Sequence, residues 1–163
     1  MTNATRVIVT GDERVTYGIA DRSGWRPGPW DDEPDKVQWI DAATGLHCIA
    51  LRAASHWCGY VGLPAGHPWR DGEAPMQVEG VRAEINYGPH PCDGDGMICH
   101  DVDHDDDVHW LGFDVASGSR EPWACLGVRE PAWNAERPYH DIAYVRVATM
   151  NLAKAAKAAE DRS

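Results

Sequence analysis

Apolar and polar residues alternate, or form short apolar runs, over much of the first half of the chain, as is typical of β-strands. We predict strands at residues 5–10, 14–20, 36–41, 46–52 and 57–63. Gly45 lies between the third and fourth of these, where the closing bulge of a hairpin favours a positive φ. Pro64 and Pro68 then end the run, because proline removes donors from a strand ladder.

The middle of the chain has two further strand patterns separated by an acidic segment. Apolar residues at every second position predict a half-buried strand at 81–87, and residues 108–115 predict another. Between them, residues 88–107 are rich in Asp, His and Cys, and we expect a long loop there. Residues 116–137 have no clear period and predict irregular structure.

The last part of the chain changes to the period of an α-helix, predicted over residues 138–160. Pro138 suits the first turn and Asp141 complements the positive end of the helix dipole. One apolar stripe is formed by Ile142, Val145, Thr149, Leu152, Ala156 and Ala159. The sequence therefore predicts an α+β fold in one domain over residues 1–163. Its core would be a twisted antiparallel sheet of five to seven strands with one C-terminal helix packed on it.

Charge and cysteine content limit the classes of function. The formal net charge is -11 over 163 residues, which argues against direct binding of nucleic acid, since that requires a basic surface. No apolar stretch is long enough to span a membrane and residues 1–14 do not resemble a signal peptide, so we expect a cytoplasmic protein. Its five cysteines form no CxxC pair and are expected to be reduced thiols.

Two acidic segments contribute most to that charge. Residues 31–35 are expected to form a solvated loop. The segment from Gly88 to Trp110 holds seven aspartates and four histidines without a lysine or arginine. Its alternating acids at 101–105 resemble the start of a calcium loop, but Asp106 stands where that loop requires glycine and Gly112 where it requires an acid. Zinc binding by its Cys and His residues, contact with a basic partner and simple solvation all stay open.

Two other groups of residues contain candidate chemistry. Cys58 lies beside His56 and near His67, so it is either a nucleophile with a base or a small buried apolar residue. His67 is in a loop directly after a strand, where functional side chains are common. Asp114 ends an apolar strand, either as a turn-forming cap or as an acid at the rim of a site.

Several of these segments together resemble a family of uncharacterised proteins from bacteriophages and their bacterial hosts. The shared pattern is Trp-Cys-Gly-Tyr-Val-Gly at 57–62, Gly-His-Pro at 66–68, Ile-Cys-His at 98–100 and Gly-Phe-Asp at 112–114. The resemblance covers most of residues 28–146 and implies no particular activity. Glu79 stands where the family pattern has a histidine, and residues 115–117 lack a cysteine and a histidine that follow its Gly-Phe-Asp. These departures favour retained binding over retained turnover.

Three hypotheses of function follow. The first is a phage-type accessory protein that binds a small, nucleotide-like ligand and counters a host defence. Its ligand-binding residues would be Arg52, Trp57, Tyr60, His67, His100 and Asp114. The second is a metal-dependent hydrolase, with zinc as the expected metal. Its candidate metal ligands are His67, Glu79, Cys99, His100 and Asp114. The third is an acidic inhibitor that binds a basic surface of a host nucleic-acid-binding protein through the aspartate-rich loop and residues 31–35.

Overall fold

The protein forms one open antiparallel sheet with a long helix on one of its faces, which confirms the predicted α+β class. The computed structural model describes residues 4–92, 96–100, 107–123 and 128–163. The strands are β1 (Arg6–Thr10), β2 (Glu13–Tyr17), β3 (Lys36–Ile40), β4 (His47–Ala53), β5 (His56–Leu63), β6 (Tyr87–His90) and β7 (His109–Asp114). Their order in the sheet is β1-β2-β3-β4-β5-β7-β6.

Short turns join β1 to β2, β3 to β4 and β4 to β5, whereas the longer segment 18–35 connects β2 to β3. Gly11 has a φ of +59° between β1 and β2. Gly45 has a φ of +74°, and its N–H donates to the Asp41 carbonyl at 2.7 Å, as predicted for this hairpin. The meander of β3, β4 and β5 therefore follows the sequence pattern closely.

Helix α2 (Ile142–Arg162) covers one face of the sheet, mainly over β4 and β5. Its predicted stripe is buried from Val145 to Ala159, and Leu152 and Ala156 are fully inaccessible to solvent. Asp141 caps the helix by accepting a hydrogen bond from the Tyr144 N–H at 2.8 Å. The helix begins at Ile142, four residues after the predicted start, because Asp141 is in extended conformation as the N-cap.

The opposite face of the sheet is covered by the chain around a disulfide between Cys92 and Cys99. Ile98 packs there against Ile49, Leu51 and Trp110. The expectation of reduced thiols is wrong for this pair. The two cysteines are seven residues apart, so a search for CxxC pairs does not find them, but the fold brings their sulfurs together. Disulfides are typical of oxidising compartments.

The acidic run at 31–35 is only partly a solvated loop, and this expectation needs correction. Asp31 and Asp32 are exposed, but Glu33 is 8% exposed and Asp35 is fully buried. Both buried carboxylates pair with Arg52, with Glu33 Oε1 3.0 Å from Nη2 and Asp35 Oδ1 3.5 Å from Nε. Burial is possible because opposite charge and many donors meet these acids in the interior.

Asp35 is also held by backbone groups. Its Oδ2 accepts hydrogen bonds at 3.0 Å from the N–H groups of Gly18, Ile19 and Ala20, just after β2. Its Oδ1 accepts from Arg22 at 2.6 Å. The predicted strand 14–20 therefore stops at Tyr17, because the following N–H groups turn toward this carboxylate.

Two other predicted segments differ from the structure. The alternating residues 81–87 do not form a strand, apart from Tyr87, which begins β6. Val81 and Ile85 are buried, but their N–H groups donate locally to the carbonyls of Val78 and Met76. The predicted irregular region contains the short helix α1 (Ala132–Ala135), which Asn134 anchors through hydrogen bonds to the backbone of Glu121.

Candidate ligand-binding cleft

A cavity of about 290 Å³ opens where the end of β7 meets the first half of α2. Its deeper part is apolar, since Val81, Phe113, Val115 and Ala148 are all buried. Polar or charged side chains from three separate segments complete the lining: Arg82, Asp114, Ser117, His140 and Tyr144. We call this the β7–α2 cleft. Its size is near the lower end for small-molecule sites, and its combination of an apolar floor with a few polar groups is typical of them.

Asp114 is the residue of this cleft that the sequence identified. It is the last residue of β7 and is half-buried. Its Oδ1 accepts from the Ala116 N–H at 3.1 Å, and its Oδ2 accepts from Asn86 Nδ2 at 3.1 Å. The carboxylate is therefore a turn-forming cap that also lines this cavity, and its role as the acid of a site stays a prediction.

His140 and Tyr144 form an aromatic wall of the cleft. Their rings are stacked, with centroids 4.2 Å apart and planes within 8°. His140 Nδ1 lies 3.2 Å from the Val115 carbonyl oxygen. Because a carbonyl only accepts, Nδ1 carries the proton, and in this tautomer the lone pair is on Nε2. This nitrogen can accept a hydrogen bond from a ligand.

Arg82 connects the cleft to a shallower groove. It is exposed, and its guanidinium has no hydrogen bond or ion pair to the described part of the chain. A neighbouring cavity of about 390 Å³ is lined by Gln77, Glu79, Arg82 and Glu84 among others, and it shares Val81, Arg82 and Ala83 with the β7–α2 cleft. Glu79 is therefore beside the cleft, in the adjoining groove. Arg82 is positioned between the two cavities as an available cation.

Arg52 and Trp57, which the sequence suggested as ligand-binding residues, lie in the buried charge cluster instead. Arg52 donates to Glu33 and, at 3.2 Å, to the Tyr139 hydroxyl, and it stacks on the Trp57 ring at 4.5 Å. Trp57 is fully buried and its Nε1 donates to Glu33 at 3.4 Å. These side chains hold β4, β5 and the start of α2 together and do not reach the cleft.

His67 is a structural residue with both ring nitrogens in use. Its Nδ1 accepts from the Trp69 N–H at 3.0 Å, so it caps the 3-10 helix Pro68–Asp71. Its Nε2 lies 2.8 Å from the Ala156 carbonyl in α2 and must donate to it. His67 is 2% exposed, and its two hydrogen bonds connect the 3-10 helix to α2.

The other predicted site residues lie apart from the cleft. His100 is buried, donates from Nε2 to the Cys48 carbonyl at 3.0 Å and stacks on His47. Tyr60 is buried against Tyr87. Cys99 is in the disulfide and has no thiolate for a metal. Among the described residues, no three His, Cys, Asp or Glu side chains are close enough to share a metal ion. The structure therefore does not bring the predicted zinc ligands together.

The proposed nucleophile Cys58 is a small buried residue. Burial raises the pKa of its thiol to about 11, the Tyr60 hydrogen bond opposes this and the charge of Asp114 adds to it. Burial also raises the pKa of the Cys48 thiol. Nucleophilic cysteines need a lowered pKa, so both thiols are of the inert, structural kind.

The acidic-inhibitor hypothesis depends on residues that are mostly outside the described part of the chain, namely 93–95 and 101–106. Asp107 is described, and it pairs with Arg70 at 2.9 Å, which lowers the pKa of its carboxyl. In the other proposed contact region, Asp31 and Asp32 are exposed, whereas Glu33 and Asp35 face inward.

Comparisons with protein-family models, with curated proteins and with solved structures found no match. Within the residues that the structure describes, no helix has both the length and the apolar character needed to cross a membrane. The sequence reasoning missed Arg82, Ser117, His140 and Tyr144. One signal was present, because His140 and Tyr144 are four residues apart at a predicted helix start, a spacing that puts two rings side by side.

Proposed function

We propose that the protein binds a small, nucleotide-like ligand in the β7–α2 cleft. The observation that carries this proposal is the convergence of a cation, a carboxylate and an imidazole from distant segments on one apolar-floored cavity of about 290 Å³. This retains the ligand-binding hypothesis but moves its site from Arg52, His67 and His100 to Arg82, Asp114 and His140.

Each group has a matching partner on such a ligand. The apolar floor accommodates a planar ring, and the Asp114 carboxylate accepts hydrogen bonds from ring N–H or amino groups. His140 Nε2 is a second acceptor, fixed by the bond of Nδ1 to Val115. Arg82 pairs with a phosphate or carboxylate, since a guanidinium binds planar or tetrahedral anions through two donors. The volume suits a molecule of mononucleotide size or smaller.

The test is a thermal-shift screen followed by calorimetry with nucleosides, nucleoside monophosphates and cyclic mononucleotides. We expect one class to stabilise the fold, and the effect to be lost in Arg82→Gln. Arg129→Gln is the matched control, because Arg129 is an exposed arginine outside the cleft. Asp114→Asn should change which ligands bind, since it replaces an acceptor oxygen by a donor. A full panel without any shift, or a shift insensitive to Arg82→Gln, would refute the proposal.

A further inference from the structure

Strand β1 is an edge of the sheet with unusually little protection. All five of its residues are exposed, and Val7, Ile8 and Val9 are 44%, 46% and 59% exposed. It pairs with β2 through five successive residues without a bulge, and α2 packs chiefly on β4 and β5. Exposed strand edges are usually blocked by proline, bulges or several charges, and β1 has a single charge at Arg6.

The free backbone groups of β1 can be assigned from the turn that follows it. Thr10 and Glu13 close a two-residue turn, which makes them a hydrogen-bonded pair. Backbone groups alternate in direction along a strand, so Ile8 and Arg6 also bond toward β2. The N–H and C=O groups of Val7 and Val9 therefore point away from the sheet and are available for another strand.

We propose that two copies of the chain associate through β1, antiparallel and about a two-fold axis at Ile8. In this register Val7 of one copy exchanges both backbone hydrogen bonds with Val9 of the second copy. The two Ile8 residues face each other, and Arg6 lies opposite Thr10. The two sheets become one continuous sheet across the dimer.

Charge identifies a second copy as the partner that fits this edge. The hairpin at 6–17 contains Arg6, Asp12, Glu13 and Arg14 and is formally neutral, whereas the whole chain has a charge of -11. Two copies therefore meet at a neutral part of an otherwise repulsive surface. The antiparallel register also keeps the two Arg6 side chains at opposite ends, whereas parallel pairing would place them side by side.

The experiment is sedimentation velocity over a range of protein concentrations at low and high salt. One strand edge is a small contact, so we expect a reversible dimer with a Kd on the order of 100 µM. The dimer should tighten as salt screens the net negative charge. Ile8→Lys should give a monomer because it places two like charges across the axis. Val147→Lys is the control, since Val147 is a comparably exposed valine (59%) on α2 and not on β1, and this variant should still dimerise.

Val7→Pro tests the backbone part of the proposal. It removes an N–H that β2 does not use, so the fold should persist by circular dichroism while the dimer is lost. A monomer up to about 1 mM at both salt concentrations would overturn the proposal. A dimer that survives both Ile8→Lys and Val7→Pro would also overturn it, because association would then use another surface.

Discussion

Glu33 Oε2 accepts a hydrogen bond at 2.6 Å from the backbone N–H of Ile142, the first residue of α2. A carboxylate placed just before β3 thus satisfies an N–H at the start of a helix more than a hundred residues later. The positive end of the helix dipole and the guanidinium of Arg52 stabilise its charge from two sides. The C-terminal helix and the sheet are joined at this residue by polar contacts as well as by apolar packing.

Replacement of Glu33 by glutamine should therefore be costly. Glu33→Gln removes one of the two carboxylates that pair with the buried Arg52, and we expect the free energy of unfolding to fall by about 3 kcal/mol. Chemical denaturation measures this. Glu13→Gln is the matched control, because Glu13 and its partner Arg146 are about a third exposed, and it should cost at most about 1 kcal/mol. Equal losses in the two variants would contradict this account of Glu33.

His67→Ala should destabilise the protein while leaving ligand binding intact. The change removes a cap of the 3-10 helix and a buried hydrogen bond to α2, for an expected loss of about 2 kcal/mol. His140→Ala makes the opposite prediction, with a weaker ligand response and a smaller loss of stability. A melt with and without the ligand separates the two effects. If ligand binding depends on His67 and not on His140, the site is the one predicted from sequence around His67, and the β7–α2 cleft is not the binding site.

Gly59→Ala tests how closely α2 approaches the sheet. A Cβ at Gly59 would lie 2.3 Å from Thr149 Oγ1 and 2.6 Å from Phe113 Cζ, so β5 and α2 would have to separate. We expect a loss of about 3 kcal/mol. Gly62→Ala in the same strand meets its neighbours at 3.3 Å and should cost clearly less. Urea unfolding of both variants measures the two losses in the free energy of unfolding. Similar losses would mean that α2 does not pack as closely on Gly59 as the structure shows.

The two buried thiols should make the fold less stable at alkaline pH. The folded-state pKa of Cys58 is raised from the ordinary value of 9.0 to about 11. Between those values the unfolded thiol loses its proton while the folded thiol keeps it, so the free energy of unfolding falls as pH rises. The slope from one thiol is at most about 1.4 kcal/mol per pH unit. In Cys58→Ala, the free energy of unfolding should fall less steeply between pH 9 and about 11 than in the unmodified protein. An unchanged slope would contradict the prediction.

The β3–β5 part of the sheet could be predicted from sequence because these three strands form local hairpins. In β3 to β5, alternation, a turn glycine and the length of each run all favour the same structure. Residues 81–87 have the same alternating pattern but form no strand before Tyr87. Val81 and Ile85 are buried at alternate positions, but their backbone hydrogen bonds are local, and a pattern of apolar residues does not report hydrogen-bond partners.

The burial of Glu33 and Asp35 could not be predicted from their neighbours. The sequence around them is acidic, and the groups that make burial favourable are Arg22, Arg52 and Tyr139, which come from elsewhere in the chain. The cleft was missed for the same reason, since its polar groups belong to three segments that only the fold brings together. Asp114 was found because its position at a strand end is a local feature.

The three N–H groups that hold Asp35 form a small receptor for an anion, and the protein fills it with one of its own side chains. In Asp35→Ala the receptor would be vacant, with the guanidinium of Arg22 still beside it. The variant should be unstable in chloride buffer and regain part of its stability in formate or acetate, whose carboxylates can occupy the vacancy. Such chemical rescue would make the folding of this variant dependent on an added carboxylate.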